Sequence, residues 1–98
     1  MPMPVVRPDS ATAPTFTVQW LPPHKVVVHD NDWNTFPEVI GVLLRAVPGL
    51  GVAAAVALTE EIHRTGAAVV FRGDLDEAET CAGVIRPIGI RVTVEPDA

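Results

Sequence analysis

Residues 25–38 read KVVVHDNDWNTFPE, and this run sets what the rest of the chain must do. Val26-Val27-Val28 is β-branched throughout and follows the break at Pro22-Pro23, which favours a strand buried on both faces over a helical turn. The apolar signal stops at Asp30-Asn31-Asp32, a polar tripeptide of the kind that turns a chain. Thr35-Phe36-Pro37-Glu38 then puts threonine at an N-cap with glutamate three residues on, and proline in the first turn where a missing N–H is harmless. A strand thus hands over to a helix across a turn that carries two carboxylates beside Trp33 and Phe36. Such a turn can hold a cation next to an apolar cavity.

Downstream, Val39, Ile40, Leu43, Leu44 and Val47 recur at three-to-four spacing and predict an apolar helical stripe that stops at Pro48-Gly49. Val52 to about His63 is rich in strong helix formers, with Gly66 as a C-terminal stop. Thr59, Ile62 and His63 fall at i, i+3 and i+4 and share one face. Ala53, Ala54, Ala55 and Ala57 permit close approach of a neighbour, and Glu60 and Glu61 should point to solvent. Ala67–Phe71 reads as a second strand. Asp74 and Glu77 repeat the capping box, opening a third helix that runs to about Arg86, ahead of Pro87 and Gly89. Ile90, Val92 and Val94 alternate with Arg91, Thr93 and Glu95 as a half-buried final strand. The order β-α-α-β-α-β predicts an α+β domain: a three-stranded antiparallel sheet covered on one face by three helices. Residues 1–23 carry Pro2, Pro4, Pro8, Pro14, Pro22 and Pro23 and predict a flexible extension, with Phe16–Trp20 as a short strand-like fragment; the domain is expected to span residues 24–98.

Composition narrows the function. At 98 residues the chain has room for one core, and a formal charge of −5 without a Lys/Arg stripe disfavours nucleic acid. Cys81 stands alone, so no internal disulfide forms, and no basic start followed by an apolar run marks a secretory signal. Pro48, Gly49 and Gly51 interrupt the longest apolar segment well short of the roughly 20 residues a membrane span needs. A soluble, cytoplasmic, monomeric protein is the expectation.

Few catalytic patterns survive. His29, Asp30, Asp32 and His63, with His24, have the right chemistry for a metal, but no HExxH or cysteine pair is present, and neighbours on a strand point to opposite faces. Cys81 lies among small residues in the predicted third helix and reads as packing. There is no Gly-x-Ser-x-Gly, no Ser-x-x-Lys and no phosphate loop, since Gly49-Leu50-Gly51 lacks a following Lys-Ser/Thr. His63 alone reads as a helix-end residue favoured by the macrodipole. No cofactor is called for.

The run from Val28 to Phe36, followed about thirty residues later by Ile62-His63-Arg64-Thr65-Gly66, resembles the ClpS adaptor family. That family reads hydrophobic-x-Asn-Asp-Asp at the first place and hydrophobic-His-x-x-Gly at the second; Ala78-Glu79-Thr80 echoes its Ala-Glu-Thr. The resemblance covers residues 24–95 and implies a non-catalytic adaptor. Such an adaptor recognises N-degron proteins by a free α-amino group and a bulky first residue, Leu, Phe, Tyr or Trp. It hands them to the N-terminal domain of a ClpA- or ClpC-like AAA+ ATPase for degradation by ClpP. By the same resemblance Asp30, Asn31, Asp32 and His63 would contact the substrate ammonium. Phe36, at a gate position usually held by Met, would form the hydrophobic pocket with Asn34, Val39, Thr59 and Ile62; Thr59 also stands where Met is common. Asp76 and Glu79 would face the ATPase, with Cys81 replacing a Lys. The order Asp-Asn-Asp keeps two carboxylates but moves one. The alternatives are a protein-interaction domain of the same fold whose pocket is closed, for instance by Phe36, and a small metal-binding enzyme using His29, Asp30, Asp32 and His63.

Overall fold

The computed structural model describes residues 22–97; the proline-rich extension and its Phe16–Trp20 fragment lie outside the described residues, apart from Pro22 and Pro23. The elements are β1 (His24–His29), α1 (Phe36–Ala46), α2 (Val52–Thr65), β2 (Ala67–Gly73), α3 (Leu75–Ile85), a 3-10 turn (Arg86–Ile88) and β3 (Val92–Pro96). β1 is the central strand of a β2-β1-β3 sheet and pairs antiparallel with both neighbours. This is the expected β-α-α-β-α-β order with three helices on one face.

The physical reasons are those of the sequence. Val26 and Val28 are fully buried under the helices, while Val27, on the other face, is 9% exposed. A bulge between Val26 and Val27 shifts the register against β2, so Val26 faces Phe71 and Val27 faces Val69. Both capping boxes form: Thr35 caps α1 with Glu38 reaching back, and Asp74 caps α3 with Glu77 reaching back. The Glu38 carboxyl is held below the usual glutamate range, chiefly by the Thr35 backbone N–H and then by the Asn34 side chain.

Three details differ from the sequence reading. The buried stripe of α1 is Val39, Val42, Leu43 and Ala46, whereas Leu44 is 37% exposed and Ile40 half-buried. One hundred degrees per residue carries Leu44 past the edge of the buried arc and brings Val42 into it. On α2 only Ala55 is buried among the alanines; Ala53, Ala54 and Ala57 face outward. Ile90 precedes the last strand, because the 3-10 turn and left-handed Gly89 redirect the chain and β3 pairs only from Val92. Among the described residues no helix is long and apolar enough to cross a membrane.

The layers are not uniform. α3 lies across all three strands, α2 leans on β2, and α1 rests against α2 and α3. That arrangement brings the start of α1, the last turns of α2 and the loop before β3 around one opening.

Candidate functional site

The turn after β1 is built by Asn31. Its carboxamide oxygen accepts from the N–H groups of Trp33 (3.2 Å) and Asn34 (2.8 Å), and its Nδ2 donates to Asn34 Oδ1 (2.7 Å). Asn34 Nδ2 in turn donates to the Ile88 carbonyl at 2.8 Å, tying the turn to the chain ahead of β3. The backbone holds the same place from both sides: His29 N–H donates to the Arg91 carbonyl and Asp30 N–H to the Gly66 carbonyl, each at 2.9 Å.

Gly66 makes the second of these links possible. It ends α2 in the left-handed region at φ 96°, where a side chain would be strained, and its own N–H returns to the Ile62 carbonyl. The helix end that carries His63 is thereby fixed against Asp30. His63 Nδ1 lies 3.8 Å from Asp30 Oδ2, near but beyond hydrogen-bond length, so both keep acceptor capacity. The imidazole is two-thirds exposed and the carboxylate one-third. Phe36 meets the imidazole edge-on, with ring centroids 5.3 Å apart and planes at 72°.

Beneath these groups is a cavity of ≈310 Å³. Every residue assigned to substrate binding from the sequence lines it: Asp30, Asn31, Asp32, Asn34, Phe36, Val39, Thr59, Ile62 and His63. The charged, amide and imidazole members stand at the mouth. The buried wall is Val39, Ile62, Thr59 and Ile90, and the Thr59 hydroxyl is already spent on the Ala55 carbonyl at 2.8 Å. Phe36, 39% exposed, stands at the rim, and the cavity remains with its ring in place. Thr35 and Ile90 also line the space and were not singled out in the sequence. Ile90 looked like the first inward residue of a strand; only the turn at Gly89 shows that it faces the cavity instead.

The histidines of the metal reading are dispersed. His29 Nε2 lies 3.1 Å from Thr93 Oγ1, whose own proton goes to Glu95 Oε2 at 2.7 Å, so the imidazole is the donor in that pair. His24 Nδ1 donates to the Pro22 carbonyl. Among the described residues no three His, Cys, Asp or Glu side chains come close enough to hold a metal ion.

Asp76 and Glu79 lie on the outer face of α3, away from this cavity. Asp76 borders a second hollow, also ≈310 Å³, with Ala46, Pro48, Phe71, Glu77, Thr80 and Cys81. Cys81 is buried there and its thiol pKa is raised by burial. Glu79 Oε1 approaches Arg86 to 3.9 Å.

The sequence and the fold have known relatives. The family model for the ATP-dependent Clp protease adaptor protein ClpS matches residues 20–88. The chloroplastic Clp protease adapter CLPS1 of Arabidopsis thaliana is 36% identical over 76 residues, covering 78% of this chain and 48% of that protein, so the chain spans about half the length of this relative. The ClpS adapter of Synechococcus elongatus is 32% identical over 76 residues, covering 78% of this chain and 80% of that one. That of Nostoc sp. is 33% identical over 88 residues, covering 82% and 91%. Among solved structures, Agrobacterium tumefaciens ClpS2 bound to L-phenylalaninamide matches the fold with a TM-score of 0.72 at 26% identity, covering 78% of this chain and 98% of that one.

Proposed function

Since the chain belongs to the ClpS family of Clp protease adaptors, we propose that its cavity takes the bulky apolar first side chain of an N-degron protein. Asp30, Asp32 and His63 hold the free α-ammonium at the mouth. The observation that carries this is the 3.8 Å gap between Asp30 Oδ2 and His63 Nδ1 on the rim of a chamber whose buried wall is Val39, Thr59, Ile62 and Ile90. An ammonium nitrogen making bonds of about 2.8 Å to each can bridge that gap. Asp32 supplies a second carboxylate for the third donor, and Asn31 holds the turn so that both carboxylates stay in place. The chemistry of L-phenylalaninamide, the ligand of the matching Agrobacterium protein, is the same pair of features: a free ammonium and one large apolar side chain.

The dimensions suit one residue. At ≈310 Å³ the chamber is at the small end of ligand pockets, room for a Leu or aromatic side chain and little more. Burial of such a side chain contributes roughly 1.5–3 kcal/mol, and each charge-assisted bond to the ammonium a similar amount. After the cost of association, micromolar affinity is the expected order. No step of bond making or breaking is assigned to the chain; it acts as an adaptor.

Delivery is the second half of the proposal. Asp76 and Glu79 on α3 present acid to the N-terminal domain of a ClpA- or ClpC-like ATPase. The hollow beside Asp76 shares no lining residue with the first-residue cavity, so client and ATPase can be held together. Fluorescence anisotropy with peptides starting Leu, Phe, Trp or Tyr tests the binding half. Each free peptide should bind and its N-acetylated copy should lose at least about 100-fold, because acetylation removes the charge and leaves acceptors unpaired. Equal binding of the two copies would refute it.

A further inference from the structure

We infer that the groove on the far side of the Asp30-Asn31 turn reads the second and third residues of the bound N-terminus and favours acidic side chains there; this rests on the cavity taking the first residue. The groove has a volume of ≈610 Å³ and continues from the first cavity, sharing Asp30, Asn31 and Ile90 with it. A chain whose ammonium sits at Asp30 must leave along the rim, and an extended chain advances about 3.4 Å per residue with alternating side chains. The next two residues therefore meet this surface, with the one turned toward it carrying most of the effect.

Its walls have a definite chemistry. Arg86 and Arg91 border the groove, in a chain whose formal charge is −5. The one carboxylate in the wall is Asp30, which the ammonium engages. Arg86 is paired only loosely, 3.9 Å from Glu79 with both side chains about half exposed, and Arg91 meets no carboxylate among the described residues. Trp33, 70% exposed, closes one side, and Gly89 lies under its indole, where a Cβ would come 3.7 Å from Nε1. Two guanidinium groups beside an aromatic face suit a short peptide segment bearing carboxylates. The field of the whole acidic chain would favour lysine, so a preference for acid isolates the local effect of the groove.

The experiment uses the full chain and three labelled peptides that begin Leu-Asp-Asp, Leu-Ser-Ser and Leu-Lys-Lys with one common tail, each with an acetylated copy. At low salt the acidic peptide should bind roughly three- to tenfold more tightly than the basic one, the scale of two exposed ion pairs. The difference should shrink toward unity near 0.5 M salt. Arg91→Glu combined with Arg86→Glu should reverse the order, with the thermal unfolding midpoint of the variant checking that it folds. Equal affinities for the three free peptides, a lysine preference in the wild type, or an order unchanged by the double substitution would each overturn the inference while leaving the first-residue site standing. If no free peptide outbinds its acetylated copy, the site itself is wrong and the inference falls with it.

Discussion

Asn31→Ala removes the whole carboxamide that builds the turn, and the structure sets the size of the effect. Trp33 N–H is exposed and its bond is long at 3.2 Å, so water replaces it at little cost. The bonds to Asn34 N (2.8 Å) and Asn34 Oδ1 (2.7 Å) are half-buried, and each contributes about 0.5–1.5 kcal/mol net. Loss of the pair should cost about 1–3 kcal/mol, which for a chain of this size lowers Tm by roughly 5–20 °C. Asn31→Asp keeps both acceptor bonds and forfeits only the amide donation, placing a carboxylate against Asn34 Oδ1; about 1 kcal/mol is expected. Urea unfolding followed by far-UV circular dichroism should rank wild type above Asp above Ala, and Asn31→Asp should still bind a Leu-first peptide. Asn31→Ala that stays within about 0.5 kcal/mol of wild type yet no longer binds peptide would refute this account. That result would make Asn31 a substrate contact and not the scaffold of the turn.

Gly66→Ala should cost about 1–2 kcal/mol because φ is 96°, although no atom stands in the way of the new Cβ; Gly66→Asn should cost less, and equal stability of all three would deny the strain. Thr59→Leu extends into a ≈310 Å³ cavity and should weaken Trp- and Phe-first peptides at least about tenfold while sparing stability; unchanged anisotropy titrations would place the first side chain elsewhere. For Glu38, whose folded pKa is lowered, the stabilisation is present above the unfolded value and disappears as pH falls through the folded one. Glu38→Gln should therefore flatten the loss of stability from about pH 4.3 downward, read from urea midpoints between pH 6 and 3; an unchanged slope would contradict the bond to Thr35 N–H.

Much of this was legible because the chain states it locally. Both capping boxes, the left-handed stop at Gly66 and the β-branched run of β1 each depend on residues within a turn of one another, and each formed as read. The shared face of Thr59, Ile62 and His63 followed from helical spacing alone, and all three line the cavity. What the sequence hid is long-range. Nothing local says that Ile90 turns into the cavity, that Gly66 accepts from Asp30, or that Asn34 reaches the Ile88 carbonyl. The exposed Leu44 and outward Ala53, Ala54 and Ala57 were misjudged for a related reason: periodicity gives a stripe but not where its edges fall against a neighbour. Asn31, which the resemblance makes a ligand for the ammonium, lines the cavity and also builds the turn, its oxygen accepting from the Trp33 and Asn34 N–H groups and its Nδ2 donating to Asn34, bonds that only the coordinates reveal.

The ties from Asp30 to Gly66, from His29 to Arg91 and from Asn34 to Ile88 make the candidate site a reporter of completed folding. Each closes a long stretch of chain, so its entropy is paid before any contact in the site rewards it. A fragment that stops before β3, or a molecule whose α2 end has frayed, has the carboxylates but not the geometry. The competent fraction therefore tracks the folded fraction, and amide exchange at His29 and Asp30, whose N–H groups make two of these ties, should proceed only through openings close to global unfolding. Under the proposed function, such a site takes hold of a client only once β3 has been made and paired, and it loses its grip when any of these ties opens.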